Sequence, residues 1–255
     1  MKNLVIYCLL IFFNLNCYSQ SKEECFSNLS IFAEYAKVKN YDAAYEPWLK
    51  VRGECPDINS AIYVYGERIL KFYIKNSQGN DKDQYEEDLL DLYDEWLKYF
   101  SKSKSGKQQT GKILAIKAQS MLDYKLTDPK EIYDVYDEAF KIDPGSFTSP
   151  KGLYNYFKIY FNLYKAGNSS VSLESLFEKY EELTEKFELE MDVYTSKLDA
   201  LIKKEENDDP LSSREAKNKR VYEVNMIACS TYLNNLNAII AKESTCENLI
   251  PLYRK

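Results

Sequence analysis

The stretch IFAEYAKVKNYDAAYEPWLKVRGECP, residues 31 to 56, constrains the fold more tightly than any other part of the chain. Ile31 and Tyr35 are four residues apart, so they share one face of a first helix. Ala44 supplies a small side chain where a second helix must come close. Trp48 and Val51 continue an inner stripe, and Pro56 cannot extend the second helix and so ends it. Pro47 falls inside that second helix, where the spacing predicts a kink or a late start. The stretch reads as one antiparallel helical hairpin.

Later segments repeat the frame. Ile62, Tyr65, Gly66 and Ile69 fit a first helix, with a small residue again at the crossing point. A polar insertion, residues 76–81, interrupts before a second helix over 85–100. Ile113, Ile116, Ala118, Met121 and Tyr124 open a third hairpin. Asp128 then caps a helix that begins at Pro129. Tyr156, Ile159, Tyr160, Leu163 and Gly167 start a fourth, and Leu176, Tyr180 and Leu183 face inward on its second helix. After residue 186 the frame is lost. A charged helix to Glu206, a turn at residues 207–210 and a second long helix from Leu211 to Lys242 predict a helical arm over 187–243. Residues 244–255 echo residues 24–30, with a cysteine opening a helix before Asn-Leu, and read as the start of a further repeat.

This spacing resembles the tetratricopeptide repeat family, most clearly over residues 23–75 and 244–255. The resemblance implies an all-α, right-handed superhelix of paired helices over residues 20–186. It also implies a scaffold that binds other proteins, without implying a reaction. In an antiparallel hairpin the start of one helix lies beside the end of the other. Cys25 and Cys55 occupy those two places, and a disulfide between them is expected.

The chain has 255 residues and a formal net charge of −6, with both signs mixed along most segments. Nucleic acid is therefore not expected as the partner, since phosphate binding needs a basic face. There is no histidine, which removes Ser-His-Asp and Cys-His catalysis in their usual forms and the commonest zinc ligand. Lys2 followed by an apolar run from Leu4 to Phe13 reads as an export signal over residues 1–19, too short to anchor in a bilayer. Cleavage after Ser19 or lipid attachment at Cys17 are the two possible fates. Cleavage leaves Cys25, Cys55, Cys229 and Cys246, an even number that fits an oxidising compartment.

No motif in the chain carries chemistry. The acidic pairs, such as Glu181 and Glu182, lie among lysines on expected helix exteriors. Gly106, Gly111 and Lys112 match the glycine and lysine spacing of a phosphate-binding loop, but Ile113 stands where a hydroxyl should hold magnesium and no apolar strand precedes. No catalytic residue, cofactor or metal site is expected. The expected functional surface is a groove along the first helices. Its positions are Phe26, Leu29, Tyr63, Glu67, Lys71, Tyr154, Lys158, Phe161, Tyr164 and Lys165. Exposed aromatics beside lysines suit an extended peptide or an acidic terminus. The signal segment, paired cysteines and repeat pattern are together similar to exported tetratricopeptide proteins of Bacteroidota cell envelopes. That likeness implies a periplasmic or outer-membrane-associated scaffold, with association with an outer-membrane complex in reach. A glycan-uptake binding lipoprotein and an α-helical peptidoglycan-active enzyme are the rival readings.

Overall fold

Every element among the described residues, 22–253 of a computed structural model, is a helix, and the chain is all-α. The segment read as an export signal, with Cys17, lies outside them. The helices form two compact units, one ending at Lys107 and the other beginning at Gln108.

In the first unit, α1 spans 22–37, α2 Tyr41–Glu54, α3 Ala61–Asn76 and α4 Gly79–Phe100. Asn40 caps α2 by accepting from the Ala43 N–H, one of the donors a helix start leaves unpaired. Ala44, Trp48 and Val51 are buried at the spacing expected of them. The indole Nε1 of Trp48 donates to the Ile62 carbonyl at 2.8 Å and ties α2 to α3. Arg52 forks across to α4, with Nη1 2.8 Å from Asp88 and Nε 2.9 Å from Glu95. The sulfurs of Cys25 and Cys55 lie within bonding distance, with Cα atoms 6.4 Å apart.

Three expectations for this unit need correction. The buried residues of α1 are Cys25, Phe32 and Ala36, while Ile31 and Tyr35 are exposed. The helix carries two adjacent apolar strips, and the bonded Cys25 turns the Phe32 strip inward. Helix α2 runs unbroken through Pro47, which neither kinks it into two elements nor delays its start. Most of the polar insertion is helix, because α4 already begins at Gly79.

In the second unit, α5 spans Thr110–Tyr124, α6 Pro129–Ile142, α7 Pro150–Lys165, α8 Leu173–Glu206, α9 Ser213–Ile240 and α10 Cys246–Tyr253. Sequence-local caps set most of the starts. Asp128 accepts from the N–H groups of Lys130 and Glu131, with Pro129 next in line. Ser149 accepts from Gly152, and Ser172 and Ser212 each close a capping box. Gly111 serves packing, not phosphate. A Cβ there would sit 2.1 Å from the Asp143 carbonyl oxygen. Its N–H donates to Asp143 and the Lys112 N–H to Ser146, so the loop after α6 caps α5.

Helix α8 is continuous across residue 187, where the repeat frame stops. Nothing between Leu173 and Glu206 is Gly or Pro, and the helix has no reason to end. It forms an antiparallel hairpin with α9, whose register is set by Tyr180 to Asn237, Thr195 to Met226 and Lys204 to Glu215. The later part of α9 returns alongside α7. Tyr154 stacks on Tyr232 with ring centroids 5.1 Å apart, and Lys165 pairs with Glu243 at 3.1 Å. Both pairs step forward in sequence together, so α7 and α9 run in the same direction.

Candidate partner-binding surface

Of the ten expected groove positions, five lie in the first unit, where Tyr63, Glu67 and Lys71 do not form an open surface. Tyr63 is wholly buried. Its ring stacks on Trp96, and its hydroxyl donates to the Pro56 carbonyl at 3.0 Å. The sequence frame placed Ile62 inward and Tyr63 outward. Helix α3 is instead packed by α2 on one side and α4 on the other, which buries a wider stripe than one neighbour would. Glu67 accepts from Lys71 at 2.7 Å and from the Tyr93 hydroxyl at 3.1 Å, so both groove charges are engaged within the unit. Of the two flanking positions, Phe26 is exposed and Leu29 half-buried.

The other five lie on α7. Tyr154 and Lys165 are taken up by α9 and the turn that follows it, through Tyr232 and Glu243. That leaves Lys158, Phe161 and Tyr164, each half-buried, as one neighbouring set. The Lys158 ammonium stands 5.8 Å from the Phe161 ring centroid, and the rings of Phe161 and Tyr164 are 6.5 Å apart. Lys165 also reaches over the Tyr164 ring, at 5.9 Å. Cations over aromatic faces hold both groups in place without consuming the ring edges.

The opposite side of α7 is locked. Leu153, Tyr156 and Phe157 are wholly buried. The Tyr156 hydroxyl donates to Asp137 and receives Lys179 at 2.8 Å, while Tyr160 donates to Ser175 at 2.9 Å. Burial works to raise the Asp137 carboxyl, yet the bonds from Lys141 and Tyr156 and the charge of Lys179 hold it below its ordinary value. Burial together with the charge of Asp137 pushes the Tyr133 and Tyr156 hydroxyls far up, so both stay protonated donors. A row of side chains on so fixed a helix loses little freedom on binding.

Two surfaces escaped the sequence reading. One is the outer strip of α1 and the turn after it, where Ile31, Tyr35 and Val38 face solvent and Val38 is 73 % exposed. The other is on the α8–α9 hairpin, where Met191, Leu198, Met226 and Ile227 line an open groove of about 500 Å³. The available signal was the run from Val224 to Ala241, which contains no Asp, Glu, Lys or Arg although much of it is exposed. Among the described residues no group of His, Cys, Asp and Glu is placed to hold a metal ion. Among the same residues no helix is long and apolar enough to cross a membrane.

Neither a scan against protein-family models nor a search of curated proteins finds a match to this chain.

Proposed function

We propose that this chain is a non-enzymatic scaffold of the periplasm or of the outer-membrane-associated envelope, and that it holds a protein or peptide partner through Lys158, Phe161 and Tyr164. The observation that carries the reading is this set itself: two aromatics and a lysine, each half-buried and in mutual contact, on a helix whose other side is fixed. Aromatic anchors beside a cation suit an extended segment that brings a carboxylate, such as an acidic chain terminus. Export rests on Lys2 with the Leu4–Phe13 run and on Cys25 and Cys55 standing at bonding distance, which an oxidising compartment favours. The helical hairpins fit repeats of the tetratricopeptide type, which serve as partner-binding scaffolds.

The test is a quantitative pull-down from envelope extracts with the wild-type chain, Lys158→Glu and Tyr164→Ala. Loss of the same captured protein in both variants, by about tenfold for a central anchor, is the expected result. Equal recovery from all three chains removes this row as the binding surface.

A further inference from the structure

The groove on the α8–α9 hairpin has a chemistry of its own. Met191 and Leu198 of α8 face Met226 and Ile227 of α9 across it, with Ser230 and Thr231 at its side. Ile227 is 68 % exposed, so the groove leaves apolar surface open to solvent beside its other apolar lining. Methionine side chains are unbranched and adjust to different ridges, which suits a surface that receives a helix.

The rim of the groove is acidic. Thr195 reaches Met226 at 3.6 Å, which places it on the groove side of α8. Glu188, Asp192 and Asp199 stand seven and three residues before it and four after it, so they form one row along the same side. Glu223 lines the facing wall on α9. None of these four carboxylates makes an ion pair among the described residues. Three of the nearby lysines are already paired. Lys219 pairs with Glu205 at 2.6 Å, Lys204 with Glu215 at 2.9 Å, and Lys186 with Glu190. From Glu188 to Asp199 the row runs about 16 Å, or roughly three helical turns.

From the apolar floor and the four carboxylates that make no ion pair we infer that this groove is a second docking site, for a basic amphipathic helix of about three turns. The helix lays an apolar stripe on Met191, Leu198, Met226 and Ile227 and points lysines or arginines at Glu188, Asp192, Asp199 and Glu223. Apolar burial supplies affinity, and the charges select a cationic partner over an anionic one. The site is separate from Lys158, Phe161 and Tyr164, and does not depend on them.

The probe is a three-to-four-turn helical peptide of leucine and lysine, fluorescently labelled, with a leucine–glutamate peptide of the same pattern as its opposite. Anisotropy titration of the whole chain is expected to show binding of the first peptide only, weakening as salt rises. Glu223→Lys together with Asp199→Lys is expected to weaken it at least tenfold, and Ile227→Ser at least fivefold, with helical circular dichroism unchanged. Asp83→Lys with Glu87→Lys, an equal charge change on exposed positions of the first unit, is expected to leave it within twofold. Tyr164→Ala is likewise expected to leave it unchanged. No binding, equal binding of both peptides, or the same loss from the Asp83 and Glu87 pair overturns the inference. So does a concentration-dependent dimer in sedimentation that Ile227→Ser abolishes, because a second copy then covers the groove.

Discussion

Gly66 lies directly beneath the indole of Trp48, so close that a Cβ on it would come within 2.7 Å of the ring. Helix propensity alone favours alanine over glycine inside a helix by about 1 kcal/mol. Here the ring is wholly buried and held by its bond to the Ile62 carbonyl, so it cannot swing aside freely. Overpacking a core of this kind costs about 1–3 kcal/mol. Gly66→Ala is therefore expected to destabilise, against propensity, and the midpoint of urea unfolding followed by circular dichroism reads the sign directly. A higher midpoint than wild type contradicts the close approach.

Cys25 and Cys55 close a loop over a sequence separation of 30. Loop-closure entropy gives such a bridge about 3–4 kcal/mol. Replacing both with serine is expected to remove about that much, and adding reductant to the wild type is expected to lower its midpoint to a similar value. A wild type indifferent to reductant sinks this prediction.

The two remaining described cysteines differ in their surroundings. Cys229 is buried, and burial together with the nearby charge of Glu190 pushes its thiol up to about 11. Cys246 is exposed. A thiol that stays protonated and covered is unreactive. Alkylation of the native chain near neutral pH, mapped by peptide mass spectrometry, is expected to label Cys246 quickly and Cys229 only after denaturation. Equal labelling of the two contradicts the packing of α9 on α8.

Acid should act on the start of α9. Hydrogen bonds from the Ser212 side chain, Lys204 and the Ser212 backbone hold the Glu215 carboxyl down to about 2, against an ordinary 4.5. A carboxyl lowered by folding stabilises the folded state fully above its ordinary value, and that contribution fades as the pH falls toward its folded value. The capping box is thus expected to weaken between about 4.5 and about 2. Amide exchange of the first turn of α9 should accelerate over that interval in the wild type. In Glu215→Gln it should already be faster at neutral pH and respond less to acid.

How far these features were legible depended on how many neighbours each helix has. Ala44, Trp48 and Val51 are buried at their expected spacing because they form one stripe of α2, which periodicity encodes well. Tyr63 was misplaced because α3 is packed from two sides, and periodicity does not count neighbours. Ile31 and Phe32 are adjacent apolar residues on α1, and only the position of the bonded Cys25 decides which strip faces in. The caps at Asp128, Ser149, Ser172 and Ser212 bond to residues two or three positions ahead, and the Asp128 start was readable from the sequence. The α7 positions were expected as a set of groove aromatics and lysines. That Tyr154 and Lys165 would be claimed by residues near position 240 depends on a pairing between distant helices, which no local pattern carries.

The most direct measurement of the scaffold reading is site-specific photo-crosslinking in intact cells, with a photoreactive side chain placed at Phe161, at Tyr164 or at the exposed control position Glu138 on α6. Function through the α7 row predicts one discrete protein adduct shared by positions 161 and 164 and absent at 138. The same adduct at all three positions, or none at 161 and 164, contradicts it.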